Sequence, residues 1–163
     1  MRIFIAIAVL LVGIACTATA KAAAIPSTGL TREQVMNWLQ TRGYKVSLQQ
    51  DQVSHDNYLQ TASQGVNWGI YFFACDKDGY CPSLQFATSW DNTGLTTDQV
   101  NTWDRSKRFI RAYNDVHGAT FGEYDVDIAP GGSYEQLNFA LDRWEAQLTN
   151  FKNFINTGRT PNN

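Results

Sequence analysis

Beyond its first 24 residues, the chain alternates between segments with helical and strand-like spacing of apolar residues. Two copies of a Gly-Leu-Thr motif, at residues 29–31 and 94–96, each precede a segment in which Val and Trp recur at helical spacing. Gln follows each Thr after three residues, as in a capping box, where the two side chains satisfy free backbone N–H groups at a helix start. The repeat predicts two helices, over residues 31–42 and 96–107, that present Val and Trp to similar surfaces.

Alternating apolar residues predict strands over residues 44–49 and 58–62, and a better-defined hairpin over residues 66–73 and 83–90. If Cys75 faces Cys81, residues whose numbers add to 156 lie opposite each other. This register pairs Val66 with Trp90 and brings one set of large side chains onto one face: Val66, Trp68, Ile70, Phe72, Leu84, Phe86, Thr88 and Trp90. A slip of one residue would divide this set between two faces. The cysteine spacing and the hydrophobic pattern therefore predict the same register.

A second hairpin is predicted for residues 108–114 and 119–128, which flank a polar turn. A register in which residue numbers add to 234 places Arg111 opposite Glu123 and Lys107 opposite Asp127, so that opposite charges meet. After a third capping box, the last helix carries one apolar stripe: Leu137, Leu141, Trp144, Leu148, Phe151 and Ile155. All five Trp side chains fall on inward faces. The order α-β-β-β-β-α-β-β-α predicts an α+β fold with helices packed on an antiparallel sheet.

The first 24 residues have the pattern of a secretory signal: Arg2, an apolar run over residues 3–15, and small residues at 18–20 or 22–24. The run is shorter than the roughly 20 residues that span a bilayer. We expect cleavage near residue 20 or 24, a periplasmic or secreted product and no stable membrane insertion afterwards. Lipidation of Cys16 is a weaker alternative. One domain over residues 25–156 and a flexible tail over 157–163 would follow.

Cys75 and Cys81 are the only cysteines outside the predicted signal. In an oxidising compartment, such a pair is expected to form a disulfide. A redox pair or half of a metal site are the alternatives. A zinc site with four ligands would have to recruit the only two histidines, His55 and His117, from distant predicted turns.

Several segments resemble the YbjN family of bacterial proteins: Gly29-Leu30-Thr31 with Trp38-Leu39, residues 65–67 and 71–75, Cys81 with residues 83–86, and residues 101–113 and 124–127. The resemblance covers about residues 29–154. It implies a fold similar to that of type III secretion chaperones and carries the label of a sensory transduction regulator. That label names no mechanism, and the resemblance supplies no catalytic motif.

The sequence offers little catalytic chemistry. A net charge of −2 argues against nucleic-acid binding, and the chain lacks the motifs of nucleophilic serine and phosphate-loop enzymes. Glu123, Asp125 and Asp127 share one strand face and would suit a cation or acid–base pair, which leaves an uncharacterised metal-dependent hydrolase as an alternative. The favoured interpretation is a solvated face paired with Arg111 and Lys107. We expect no catalytic residue, no cofactor and no metal ion.

Four aromatic residues fall on predicted polar faces: Tyr71 and Phe73 in the first hairpin, and Tyr113 and Phe121 opposite each other in the second. Exposed aromatic side chains beside polar groups are typical of protein-recognition surfaces. A second packed layer or a homodimer interface would bury them equally well. We predict an exported, non-catalytic binding or regulatory module that recognises a protein or peptide partner through its sheet face or a helix edge, with a structural homodimer as an alternative.

Overall fold

The computed structural model describes residues 23–161, so the predicted signal, except Ala23 and Ala24, and the last two residues lie outside it. Within this range the predicted order of elements is confirmed. The helices are α1 (Arg32–Gln40), α2 (Thr97–Ser106) and α3 (Tyr134–Thr157). The strands are β1 (Ser47–Gln50), β2 (Asn57–Ser63), β3 (Val66–Phe73), β4 (Ser83–Trp90), β5 (Arg111–Asn114) and β6 (Thr120–Asp127). None of the helices formed by residues 23–161 is long and apolar enough to cross a bilayer.

The six strands form one antiparallel sheet in the order β1-β2-β3-β4-β6-β5. Both predicted hairpin registers are confirmed, with Ile70 opposite Phe86 and Arg111 opposite Glu123. The predicted pair of Val66 and Trp90 is wrong, because the β3–β4 ladder ends at Gly69. Val66 pairs with β2 and Trp90 with β6 instead. The pairing of β4 with β6, which joins the two hairpins, was not predicted.

All three helix starts have the predicted capping boxes, with Thr31, Thr96 and Ser133 as N-caps. Two strands begin later, and are shorter, than predicted. Strand β1 begins only at Ser47, since the Tyr44 N–H still donates to Leu39 at the end of α1. Strand β5 begins only at Arg111, because Phe109 has a φ of 76° and interrupts the extended backbone. Lys107 therefore closes α2 rather than facing Asp127, and that predicted pair is wrong.

The helices cover one face of the sheet, and the core lies between the two layers. The predicted apolar stripe of α3 is buried, and Trp144 contacts both Trp68 and Phe86. Four of the five Trp side chains are buried as predicted, whereas Trp90 is half-buried. Gly122 lets α3 approach the sheet, because a Cβ at this position would lie 2.3 Å from Cε1 of Phe151. A glycine inside a strand thus sets the contact between the layers.

The two edges of the sheet differ. At β5, the Asp104 carboxylate accepts a hydrogen bond from the Ala112 N–H at 2.8 Å, and the Trp103 indole donates to the Ile110 carbonyl at 2.9 Å. Asp104 and Trp103 both belong to α2, which therefore covers this edge. At the opposite edge, β1 pairs with β2, and its four residues are exposed.

Residues 23–31, which precede α1, belong to the folded unit. Ile25 donates to the Gly132 carbonyl, and Leu30 exchanges two backbone hydrogen bonds with Cys81. Cys81 forms the predicted disulfide with Cys75. Residues 25–30 are thereby attached both to the segment before α3 and to the end of the first hairpin.

Candidate interaction surface

The sheet face opposite the helices, called the open face below, carries all four aromatic residues singled out from the sequence. Tyr71 and Phe73 lie on β3, Phe121 on β6 and Tyr113 on β5. They share this face because successive strand residues point to opposite sides and the registers keep their parity aligned. Whether they bind a partner remains a prediction.

The open face has two stacked pairs of aromatic rings. Tyr113 and Phe121 have centroids 5.1 Å apart and planes inclined by 5°. Tyr58 and Tyr71 have centroids 4.8 Å apart and planes inclined by 11°. Tyr58 was not predicted as part of the surface; its place follows from the β2–β3 register, which the weakly patterned sequence of β2 did not reveal. Phe73, at the end of β3, has 47% of its surface exposed.

Small residues form the floor between the two pairs. Gly69 faces Ala87 across β3 and β4. A Cβ at Gly69 would lie 3.0 Å from Cδ2 of Tyr58 and 3.2 Å from Cε2 of Tyr71. Because glycine has no Cβ, the two tyrosine rings can pack closely over the backbone at this position. The resulting cleft has a volume of about 220 Å³ and an uncharged lining: Tyr58, Gln60, Asn67, Trp68, Gly69, Tyr71, Ala87, Thr88, Ser89 and Phe121.

Glu123 lies beside this cleft and is almost completely buried, whereas a solvated face was predicted. Its Oε1 accepts a hydrogen bond from the Tyr113 hydroxyl at 2.7 Å, and its Oε2 is paired with Arg111. The Gln85 amide approaches Oε2 at 3.4 Å and donates to Asp125 at 2.8 Å. The predicted pairing of Arg111 with Glu123 is confirmed, but neighbouring side chains shield the carboxylate.

Tyr71 and Tyr113 remain protonated at neutral pH because both have a raised pKa. Burial raises the pKa of Tyr113 to about 12, and its hydrogen bond to Glu123 acts in the same direction. Burial also raises the pKa of Tyr71 to about 12, supported by the nearby Tyr58, Asp51 and Glu123. The hydrogen bond to Glu123 raises the pKa of Arg111. Tyr113 therefore acts as a hydrogen-bond donor, which fixes its ring against Phe121.

The other chemical candidates are not brought together. Among residues 23–161, no three His, Cys, Asp or Glu side chains are placed so that they could hold a metal ion. His55 and His117 lie in exposed turns outside the strands that form the cleft. The open face therefore presents two stacked pairs of rings, the side-chain amides of Gln60 and Asn67, and a shielded carboxylate.

Comparisons with known proteins agree with this fold. The YbjN family model, described as "Putative bacterial sensory transduction regulator", matches residues 31–156. A crystal structure of YbjN from E. coli, described as "a putative transcription regulator", superposes with a TM-score of 0.52 and 13% identity over 72% of this chain and 84% of that chain. At this identity the likeness shows a shared fold alone. A comparison with curated proteins finds no significant match. Since the family model covers most of the sequence, the chain belongs to the YbjN family.

Proposed function

We propose that this protein is an exported, non-catalytic regulatory module of the bacterial envelope that binds a protein or peptide partner on its open face. The observation that carries the proposal is the pair of aromatic stacks on a sheet face that no helix of residues 23–161 covers. The regulatory description of the family suits a protein that acts by binding. The likeness to secretion chaperones, which the family resemblance implies, remains a prediction.

The aromatic rings are suited to an interface because they are held in place before a partner arrives. Tyr113 is fixed by stacking on Phe121 and by its hydrogen bond to Glu123, yet 38% of its surface remains exposed. Rings that are already ordered lose little conformational entropy on binding, so more of the contact energy contributes to affinity. Tyr and Phe are also enriched at protein interfaces.

The polar groups around the rings would select among partners. Gln60, Asn67 and Ser89 present uncharged donors and acceptors to the cleft, whereas Arg111 and Asp125 lie towards its rim. Uncharged amides can pair with the backbone of an extended peptide, and rim charges mainly affect orientation and association rate. We therefore expect the partner to place a segment of peptide across the cleft.

The test compares three forms of the exported protein as bait in affinity capture from periplasmic extract: the wild type, the double variant Y113A/F121A and the control F139A. Phe139 is a matched control because it is 53% exposed but lies on α3, in the opposite layer. The proposal predicts a partner that binds the wild type and F139A equally and the double variant at least about tenfold more weakly, which corresponds to about 1.4 kcal/mol.

Equal capture by all three baits would contradict a role for the open face. Circular dichroism of each variant establishes that the fold is retained. Light scattering over a concentration series identifies the remaining alternative: a dimer of the wild type that Y113A/F121A converts to a monomer would make the partner a second copy of this chain.

A further inference from the structure

Strand β6 is paired along its whole length on one side but only along half of it on the other. Strand β4 pairs with residues 120–127 of β6, whereas β5 pairs with residues 120–123. Strand β5 begins only at Arg111, because the backbone turns away at Phe109, where φ is 76°. Within residues 23–161, no strand therefore lies beside the free edge of residues 124–127.

Two residues of this free edge direct their backbone groups outward. The Ile128 N–H donates to the Pro82 carbonyl at 2.9 Å, on the side of β4. Successive residues of a strand direct their N–H and C=O groups to opposite edges. The backbone groups of Asp125 and Asp127 therefore point away from β4, in the direction that β5 would take if it continued. Such outward groups are a template for the addition of another strand.

A groove of about 360 Å³ adjoins the free edge. It is lined by residues 124–127 of β6, by residues 129–132 of the following loop, and by Gln136, Ala140 and Arg143 of α3. The Phe109 ring packs against two of these lining residues: its centroid lies 5.7 Å from that of Tyr124, and the Arg143 guanidinium carbon lies 5.2 Å from it. The groove therefore begins where β5 stops, and α3 forms its wall.

The two sides of the free edge differ in chemistry. On the helix side lie the half-buried Tyr124, the buried Val126 and the buried Ala140, which suit an apolar side chain. On the side of the open face, Asp125 and Asp127 are both exposed and point the same way, because they are two residues apart in a strand. Two neighbouring carboxylates are complementary to cationic side chains of a partner.

We propose that the free edge of β6 is a second binding site, which takes an extended segment of another protein by strand addition. Its apolar residues face α3, and its alternate Lys or Arg residues face Asp125 and Asp127. Four residues of such a segment would extend over about 13 Å, the length of residues 124–127. Main-chain hydrogen bonds supply the affinity, and the alternating side chains supply the specificity.

This site is favoured over the edge at β1, where all four residues are exposed and an added strand would bury less side-chain surface. It is also separate from the two stacked pairs of rings on the open face. The proposal for the free edge therefore does not depend on the proposed function.

The first test titrates the purified protein into two fluorescent peptides, one of alternating Lys and Val and one with Glu in place of each Lys. We expect saturable binding of the Lys–Val peptide, and D125N/D127N should weaken it by about threefold or more, because two exposed charge pairs are lost. The control D56N/D91N removes two carboxylates from exposed loops and should leave the affinity unchanged. No saturable binding, equal binding of both peptides or equal losses in the two double variants would overturn the proposal.

The second test locates the bound Lys–Val peptide through the backbone. By NMR, the amides of Asp125 and Asp127 should exchange at least about tenfold more slowly at saturating peptide, whereas the amides of residues 47–50 in β1 should not change. Asp127→Pro removes one outward N–H and should bind the peptide about fivefold more weakly than Asp127→Ala, which loses the same charge. Protection at β1 instead, or loss of peptide binding in Y113A/F121A, would overturn the proposal.

Discussion

Helices α1 and α2 begin with the same short motif, but the residues in front of them have different surroundings. Their N-caps are almost superimposable, with φ and ψ of −79° and 161° at Thr31 and of −77° and 158° at Thr96. Val35 and Val100 are buried at the same position of each helix. The glycines at the start of the two motifs, Gly29 and Gly94, have different surroundings.

A Cβ on Gly29 would lie 2.0 Å from the Cys81 carbonyl oxygen, whereas no atom lies within 4 Å of the same position on Gly94. The neighbouring Leu30 pairs with the backbone of Cys81. In the second copy, the Leu95 N–H is instead bound by the Thr93 hydroxyl of its own loop. The capping box therefore starts a helix locally, while the contacts before it determine how the helix is attached to the sheet.

Substitution of the two glycines should produce the largest difference in stability between the two motifs. Gly29→Ala would force a backbone clash at a φ of 97°, and we expect it to lower the free energy of unfolding by at least about 3 kcal/mol. Gly94→Ala meets no atoms and should cost about 1 kcal/mol, through its left-handed backbone alone. Urea unfolding measures both. Equal losses would show that packing at Gly29 is unimportant.

The two Trp side chains should also differ. Trp103 is fully buried and donates to the Ile110 carbonyl, so Trp103→Phe should leave an unpaired acceptor and a cavity and cost about 3 kcal/mol. Trp38 donates to the partly buried Asn138 side chain, and Trp38→Phe should cost about 1 kcal/mol. Thermal unfolding of both variants provides the test; a larger loss for Trp38→Phe would contradict the expected order.

Removal of the disulfide should affect the first motif more than the second. The bond closes a loop between Cys75 and Cys81, and C75A/C81A should lose about 2 kcal/mol by loop entropy. The Leu30 N–H donates to the Cys81 carbonyl. Hydrogen exchange at the Leu30 amide should therefore accelerate more than hydrogen exchange at the Val100 amide in α2. Hydrogen exchange with mass spectrometry resolves the two sites. Uniform acceleration would indicate a global effect.

The N-caps should behave alike. Thr31→Ala and Thr96→Ala each remove the same hydroxyl from the same capping geometry, and each should cost about 1 kcal/mol. Thr31→Ser and Thr96→Ser keep the hydroxyl and serve as controls. A difference between the two alanine variants greater than about 0.5 kcal/mol would show that the caps are not purely local.

The smallest expected effect is a loss of stability in alkali at the end of α1. Burial and a hydrogen bond to Glu145 on α3 raise the pKa of Tyr44 well above its ordinary value of 10.0. Tyr44 favours the folded state fully below about pH 10, and this contribution is lost as the pH rises further because the folded protein resists deprotonation.

Urea midpoints at neutral pH and at about pH 11 provide the measurement for Tyr44. The decrease in urea midpoint from neutral to alkaline pH should be smaller in Tyr44→Phe than in the wild type. Tyr134→Phe is a control, since Tyr134 is a half-buried tyrosine at the start of α3. The same fall in all three proteins would contradict a special role for Tyr44.

The predictable parts of the fold were those encoded by neighbouring residues. The Thr31 and Gln34 pair specifies a helix start over three residues, and the alternation around Cys75 and Cys81 specifies one hairpin register. These local signals also placed Tyr71, Phe73, Tyr113 and Phe121 on polar strand faces.

The missed features depend on contacts between distant segments. Nothing in β4 or β6 alone shows that they pair, and this pairing brings the two halves of the open face together. The burial of Glu123 requires Gln85 from another strand as well as Arg111 and Tyr113. Tyr58 lies on the open face because of the β2–β3 register, which the irregular sequence pattern of β2 does not specify.

The different treatment of the two sheet edges limits how copies of this chain can associate. Helix α2 binds the Ala112 N–H of β5 through Asp104 and the preceding Ile110 carbonyl through Trp103, so β1 is the more open of the two edges within residues 23–161. When two β1 edges pair, each partner has used this more open edge. Association through β1 therefore ends at a closed pair.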